Sequence, residues 1–204
     1  MLNETTVNKL NEMKLTTMSR AFKEQLSNPN MAQMSFEDRF SLLVDQEWTS
    51  RKNNQLKRLI KKAKFAEIGA CVEDIEYHGD RDLKPSTIER LATCEYIHEK
   101  HNVILLGATG CGKTYIACAL GMSAVRQFMS VRYVRLPDLL TDLAIARSNG
   151  TYRRIIDQYK KPKLLILDEW LLYPLKETEA RDLLEIAEAR YRKASTVFCS
   201  QFDI

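Results

Sequence analysis

A parallel β-sheet covered by helices on both faces, preceded by a helical segment, is the fold predicted by this 204-residue sequence. Three observations predict it. The runs at 102–106 and 163–167 are continuously apolar, as expected of strands buried on both faces. Helical patterns separate these runs from one another, which is the signature of βαβ units. The residues before about position 65, by contrast, show helical spacing alone.

In chain order, Leu10, Met13, Leu15, Met18, Phe22 and Leu26 recur at helical spacing, and Asn28-Pro29-Asn30 breaks the pattern. Ser35 is the predicted N-cap of a second helix with Glu37 and Asp38 in its first turn. Phe40, Leu43, Val44, Glu47 and Trp48 continue that helix, and Leu56, Leu59 and Ile60 extend it. A less regular stretch is punctuated by Gly69, Gly79 and Pro85, after which Ser86-Thr87-Ile88-Glu89 opens a helix reaching about His98. The second half then alternates. A strand at 102–106 is followed by a helix from Lys113 to Phe128, and a strand from Ser130 to Arg135 by a helix from Leu139 to Arg147, ended by Asn149-Gly150. The strand at 163–167 is followed by a charged amphipathic helix from Glu177 to Arg192 and a last strand from Ser195 to Ser200. The change of character near 65–85 divides the chain into a basic helical segment, 1–70, and an α/β core, 71–204.

Composition narrows the function classes. Hydrophobic residues make up 45% and the formal net charge is +4, so a buried core is expected with a mildly basic surface. The start, Met1-Leu2-Asn3-Glu4-Thr5, lacks a basic region followed by an apolar one, and no apolar run approaches the roughly 20 residues of a membrane helix. The expected location is the cytoplasm, with no membrane partner. The five cysteines are scattered without a Cys-x-x-Cys pair, and His78, His98 and His101 lack metal-ligand company, so neither a disulfide framework nor a zinc site is predicted.

Gly107-Ala108-Thr109-Gly110-Cys111-Gly112-Lys113-Thr114 carries the spacing Gly-x-x-x-x-Gly-Lys-[Ser/Thr] of a P-loop (Walker A). The glycines let the backbone turn so that successive N–H groups face an anion, and the following helix aims its positive end at it. Lys113 adds a full charge at the β- and γ-phosphates, Thr114 offers its hydroxyl to Mg²⁺, and Tyr115 follows within the same nucleotide-binding stretch. Leu164-Leu165-Ile166-Leu167-Asp168-Glu169 has the form of a Walker B strand. It would deliver carboxylates at the C-terminal edge of the sheet, where ligands bind in open α/β folds. Asp168 is the candidate Mg²⁺ ligand and Glu169 the candidate base for the attacking water. Ser200 and Gln201 end the last strand and are candidates for contact with the γ-phosphate or that water. No Asn-Lys-x-Asp is present, so ATP is expected rather than GTP.

Between Glu47 and Glu67 no acid interrupts Arg51, Lys52, Lys57, Arg58, Lys61, Lys62 and Lys64, while Leu56, Leu59, Ile60 and Phe65 are interleaved. One face can pack while the rest stays basic, which suits a phosphate backbone bound with strong salt dependence.

Taken together these residues resemble the IstB-type transposition helper ATPases of the AAA+ superfamily, near the helicase loader DnaC. The resemblance covers essentially the whole chain. It rests on Leu42-Leu43-Val44-Asp45-Gln46-Glu47-Trp48, on Ile104-Leu105-Leu106-Gly107 running into Gly112-Lys113-Thr114, and on Leu165-Ile166-Leu167-Asp168-Glu169-Trp170 with Tyr173-Pro174-Leu175. Arg181-Asp182-Leu183-Leu184-Glu185-Ile186 and Thr196-Val197-Phe198-Cys199-Ser200-Gln201 belong to it as well. It implies a three-layer AAA+ core and a protein that forms a homo-oligomer on double-stranded DNA when ATP is bound, recruits a cognate transposase, and resets by hydrolysis. A DnaC-like helicase loader and a non-hydrolysing DNA-binding scaffold are the alternatives. The resemblance further implies a helix, a fifth strand and a basic tail beyond Ile204, holding an arginine finger, so the C-terminal part of the AAA+ core is expected to be missing. Arg190 and Arg192 do not occupy the finger's expected place.

Overall fold

The structure is a computed structural model that describes residues 2–78 and 83–201. Gly79, expected to punctuate the chain, lies outside the described residues. Two compact units divide between Lys57 and Arg58.

The first unit holds α1 (Leu2–Glu12), α2 (Thr16–Ser27), a 3₁₀ turn (Pro29–Gln33) and the first part of α3 (Phe36–Ala63). The single helical pattern expected over Leu10–Leu26 is two helices. Lys14 adopts φ +59 between them, a left-handed turn that a lysine does not advertise. The turn at Asn28-Pro29-Asn30 and the Ser35 cap stand as expected. The Ser35 hydroxyl accepts from the Asp38 N–H at 3.1 Å and donates to the Asp38 carboxylate at 2.8 Å. Within α3 the buried residues of this unit include Leu43 and Glu47. Glu47 does the work of a cap for another helix, since its Oε2 accepts the Thr17 and Met18 N–H groups of α2, each at 3.0 Å. Burial works to raise the Glu47 pKa. The Arg51 hydrogen bond, the Met18 and Thr17 amides and the Arg51 charge outweigh it, leaving the pKa lowered.

The second unit is the α/β core. It contains α4 (Pro85–Ala92), α5 (Glu95–His98), β1 (Val103–Leu106), α6 (Lys113–Arg126), β2 (Val131–Arg135), α7 (Leu136–Ser148), α8 (Tyr152–Lys160), β3 (Leu164–Asp168), α9 (Glu177–Arg190) and β4 (Ser195–Ser200). The helix expected from Ser86 to His98 breaks at Cys94, which turns at φ +64. The four strands form one parallel sheet in the order β1-β4-β3-β2. Each residue of β3 is buried, and a side chain such as Leu164, Leu165 or Ile166 contributes about 1.5–3 kcal/mol on leaving water. β1 lies at one end of the order, with Ile104 and Leu106 exposed. α6 packs on the sheet so closely that a Cβ on Gly121 would meet Phe65 Cε1 at 2.6 Å and Ile166 Cδ1 at 2.9 Å. That packing explains the division of the chain. Composition shifts near 65–85, but Ala63, Phe65 and Ala70 are already buried in the core unit, which therefore begins with the last turns of α3.

Arg190 closes the far side of the sheet. It is 3% exposed and donates to the carbonyls of Tyr159, Lys160, Pro162 and Ser195 and to Thr196 Oγ1. Burial pulls its pKa down to about 10. Its guanidinium is thus a structural clasp between the end of α8 and the start of β4.

Candidate nucleotide-binding site

The C-terminal ends of β1, β3 and β4 frame a cleft of 310 Å³. The sequence makes its floor by an abrupt change from apolar strand to glycine-rich turn. Gly110 and Gly112 hold φ +80 and +88, and Gly112 is the residue from which α6 starts. Thr109, Gly110, Gly112, Lys113, Thr114 and Tyr115 line the cleft, while Gly107, Ala108 and Cys111 complete the loop behind them. Lys113 folds back across the loop, its Nζ donating to the carbonyls of Gly107 at 2.6 Å and Ala108 at 2.7 Å. The Tyr115 hydroxyl accepts the Cys71 N–H at 3.3 Å.

Asp168 joins the loop to the strand expected to carry the carboxylates. Its Oδ2 accepts from the Thr114 hydroxyl at 2.7 Å and from the Tyr133 hydroxyl at 2.8 Å, and its Oδ1 accepts the Glu169 N–H at 2.9 Å. Three donors therefore fix a carboxylate that is 5% exposed. Burial, then the hydrogen bond to Asp168, pushes the Tyr133 hydroxyl far above its ordinary range, so it stays a donor. Burial likewise raises the Cys199 thiol, with Asp168 adding to the effect.

Glu169 turns at φ +54 at the strand end, and its carboxylate meets Arg135 in a fork. Arg135 Nε donates at 3.0 Å and Nη2 at 2.8 Å to Oε1, and Nη2 also reaches Oε2 at 2.8 Å. The pair raises the Arg135 pKa, first through these hydrogen bonds and then through charge.

The two last candidates part company. Gln201 lines the cleft and accepts from the Thr109 hydroxyl at 2.8 Å. Ser200 does not line it; it is buried and its hydroxyl donates to the Trp170 carbonyl at 3.4 Å. Within β4, Cys199 lines the cleft and Ser200 leaves the strand on the other face, while Gln201 lies just beyond the strand end. Arg135, Tyr133 and Glu67 were not among the sequence candidates. The first two sit on β2, whose parallel register places Arg135 beside Asp168 and Tyr133 beside Ile166. The signal available was the alternation of Ser-Val-Arg-Tyr-Val-Arg, whose last arginine ends at the same sheet edge as the acidic pair.

The donor set suits a hard cation. A hydroxyl and a carboxylate oxygen adjoin the phosphate loop, and among the described residues no cluster of three His, Cys, Asp or Glu could hold a metal alone. The Thr114 hydroxyl and the Asp168 carboxylate could hold a cation such as Mg²⁺, whose other ligands would be waters and substrate phosphates.

The basic stretch is divided. Arg51 Nε donates to Glu47 at 2.6 Å and its Nη2 to the Lys14 carbonyl at 2.8 Å, and Lys52 lies over the Trp48 ring at 5.6 Å, both within the first unit with Lys57. Arg58, Lys61, Lys62 and Lys64 belong to the core unit and are exposed.

Residues 8–204 match the model of the IstB-like ATP binding protein family. The chain is 40% identical over 201 residues to the ATP-binding protein of insertion sequence IS1162 from Pseudomonas fluorescens, covering 98% of this chain and 87% of that one. It is 39% identical over 204 residues to the insertion-sequence ATP-binding protein y4pL of Sinorhizobium fredii, covering 100% and 83%. Among solved structures, the DnaC helicase loader superposes with a TM-score of 0.58 at 18% identity, covering 66% of this chain and 78% of that one. DnaA from Aquifex aeolicus bound to AMPPCP gives 0.58 at 21%, covering 65% and 42%. The α/β core therefore shares its fold with these DnaA and DnaC structures, and the chain belongs to the IstB-like ATP-binding protein family.

Proposed function

We propose that this chain binds ATP in the cleft at the end of β1, hydrolyses it, and uses the cycle as a transposition helper that assembles on duplex DNA and engages a transposase. The observation that carries the nucleotide reading is the 2.7 Å contact between Thr114 and Asp168, which brings the phosphate loop and the acidic strand end into one site. The insertion-sequence names of the 40% and 39% identical relatives support the transposition reading.

In this reading the loop amides and the α6 N-terminus receive the phosphates, and Lys113 leaves the Gly107 and Ala108 carbonyls to face the β- and γ-phosphate oxygens. Thr114 and Asp168 would hold Mg²⁺, which when bound neutralises charge on the phosphate oxygens. Glu169 orients a water and takes its proton as the water oxygen attacks the γ-phosphorus. The bond from that phosphorus to the β-γ bridging oxygen breaks, and ADP leaves with the electron pair. Gln201, at the mouth of the cleft, is placed to hydrogen-bond the γ-phosphate or the water. Glu169 reaches the water only on release from Arg135, so Arg135 acts as a restraint on the base.

That restraint favours one second reading, a DNA-binding scaffold that holds ATP without turning it over. Hydrolysis rates with and without duplex DNA separate the two. The ATPase reading expects turnover stimulated by DNA; saturable ATP binding with no turnover in either condition supports the scaffold.

A further inference from the structure

The basic end of α3 faces a second basic wall that its own sequence does not announce. Within the core unit a groove of 820 Å³ is lined on one side by Arg58, Lys61, Lys62 and Lys64. On the other side stand Arg132 of β2, Arg154 of α8 and Lys161, which follows α8. Asp157 is the one carboxylate among the lining residues, and Lys161 neutralises it at 2.6 Å. A surface kept only for solubility mixes signs; here two elements far apart in the chain bring cations of one sign to the same groove.

Arg132 supplies an independent observation. It is 7% exposed and lines the groove, yet its Nε is buried without a hydrogen-bond partner. Its Nη1 reaches the Lys62 carbonyl at 3.5 Å, its side chain also meets the Tyr159 hydroxyl, and its guanidinium lies 5.5 Å from the Tyr159 ring centre. No carboxylate pairs with it among the described residues. A buried guanidinium with one N–H unmet and no carboxylate beside it is costly in the isolated molecule, and an anion held in the groove would offset its charge.

We infer that this groove is a binding surface for the phosphate backbone of duplex DNA, with Arg132, Arg154 and Lys161 as a second wall opposite the end of α3. The inference rests on the DNA-binding reading above and adds three residues to it. Duplex is favoured over single strands because none of the described residues that line the groove is aromatic, whereas single-strand surfaces hold bases by stacking on aromatic rings.

The test is the affinity of the 204-residue chain for a short duplex across a range of salt concentrations. Arg154 is exposed, so Arg154→Ala should leave the melting temperature unchanged, weaken binding several-fold for every duplex sequence, and lower the salt slope by about 0.9, one phosphate contact. Arg132→Met should also weaken binding, and Arg154→Ala decides the matter where Arg132→Met melts early. Parental affinity and slope in Arg154→Ala, alongside loss in Lys61→Ala/Lys62→Ala, would overturn the second wall and leave DNA binding by α3 intact. Parental behaviour in both would overturn both readings. A single strand bound as tightly as the duplex would overturn the assignment to duplex.

Discussion

Glu47 and Glu169 are both held by arginines, and their surroundings differ in a way that separates structure from chemistry. Glu47, in the first unit, is 8% exposed and receives Arg51 together with two backbone N–H groups from the start of α2. Every strong partner it has is part of the fold, so its task is complete in the isolated chain. Glu169, in the core, is more exposed, turns at positive φ, and among the described residues offers its carboxylate to Arg135 alone. A carboxylate held by one releasable partner at the mouth of a phosphate cleft is available for another task. The presence of an arginine–glutamate pair therefore says little by itself; what else the carboxylate satisfies decides its role.

The sharpest way to break this comparison is to remove each acid in turn. Glu169→Gln should lower ATP turnover by about 10²–10⁴-fold with ATP affinity and melting temperature retained. Parental turnover would take Glu169 out of the chemistry. Glu47→Ala should do the reverse, costing about 1.5–3 kcal/mol of stability in denaturant unfolding, since hydrogen bonds to a charged group are lost and the α2 amides are left uncapped. Loss of turnover without loss of stability would place Glu47 in the cycle instead.

Acid sharpens the same contrast. The Glu47 pKa is lowered in the folded chain relative to its ordinary value of 4.5. Its contribution is therefore present above that value and lost as pH falls through the lower, folded one. Unfolding of the parent and Glu47→Gln from about pH 7 to about pH 3 should show the parent's advantage shrinking only in the acid limb. An advantage that persists there would mean the carboxylate's charge is not what stabilises α2. The smallest effect is expected at Arg135. A half-exposed ion pair is worth about 0.2–1 kcal/mol, so Arg135→Ala should raise basal turnover about two- to five-fold while lowering stability by no more than that. A fall in turnover would show that Arg135 assists the chemistry rather than restraining the base.

Much of this site was legible in the sequence because its parts are local. A phosphate loop is eight consecutive residues, and an acidic strand end is six. What escaped was brought together by topology. Arg135 and Tyr133 meet Asp168 and Glu169 only because β2 pairs with β3 in parallel register. The basic groove escaped likewise. α8 has the sequence Tyr-Arg-Arg-Ile-Ile-Asp-Gln-Tyr-Lys and begins shortly after Asn149-Gly150, so it was absorbed into the connection before β3. In the helical parts, breaks at Lys14 and Cys94 were hidden because these residues take left-handed turns that glycine or asparagine would have signalled. Ser200 and Gln201 are adjacent in sequence, but Ser200 ends β4 buried while Gln201 lies just beyond the strand and lines the cleft.

The central claim is that the loop from Gly107 to Thr114 receives ATP, and a titration of ATP against the 204-residue chain and Lys113→Ala tests it most directly. The parent should bind saturably, and Lys113→Ala should lose binding while melting at the parental temperature. Equal ATP affinity in the two proteins would contradict the account.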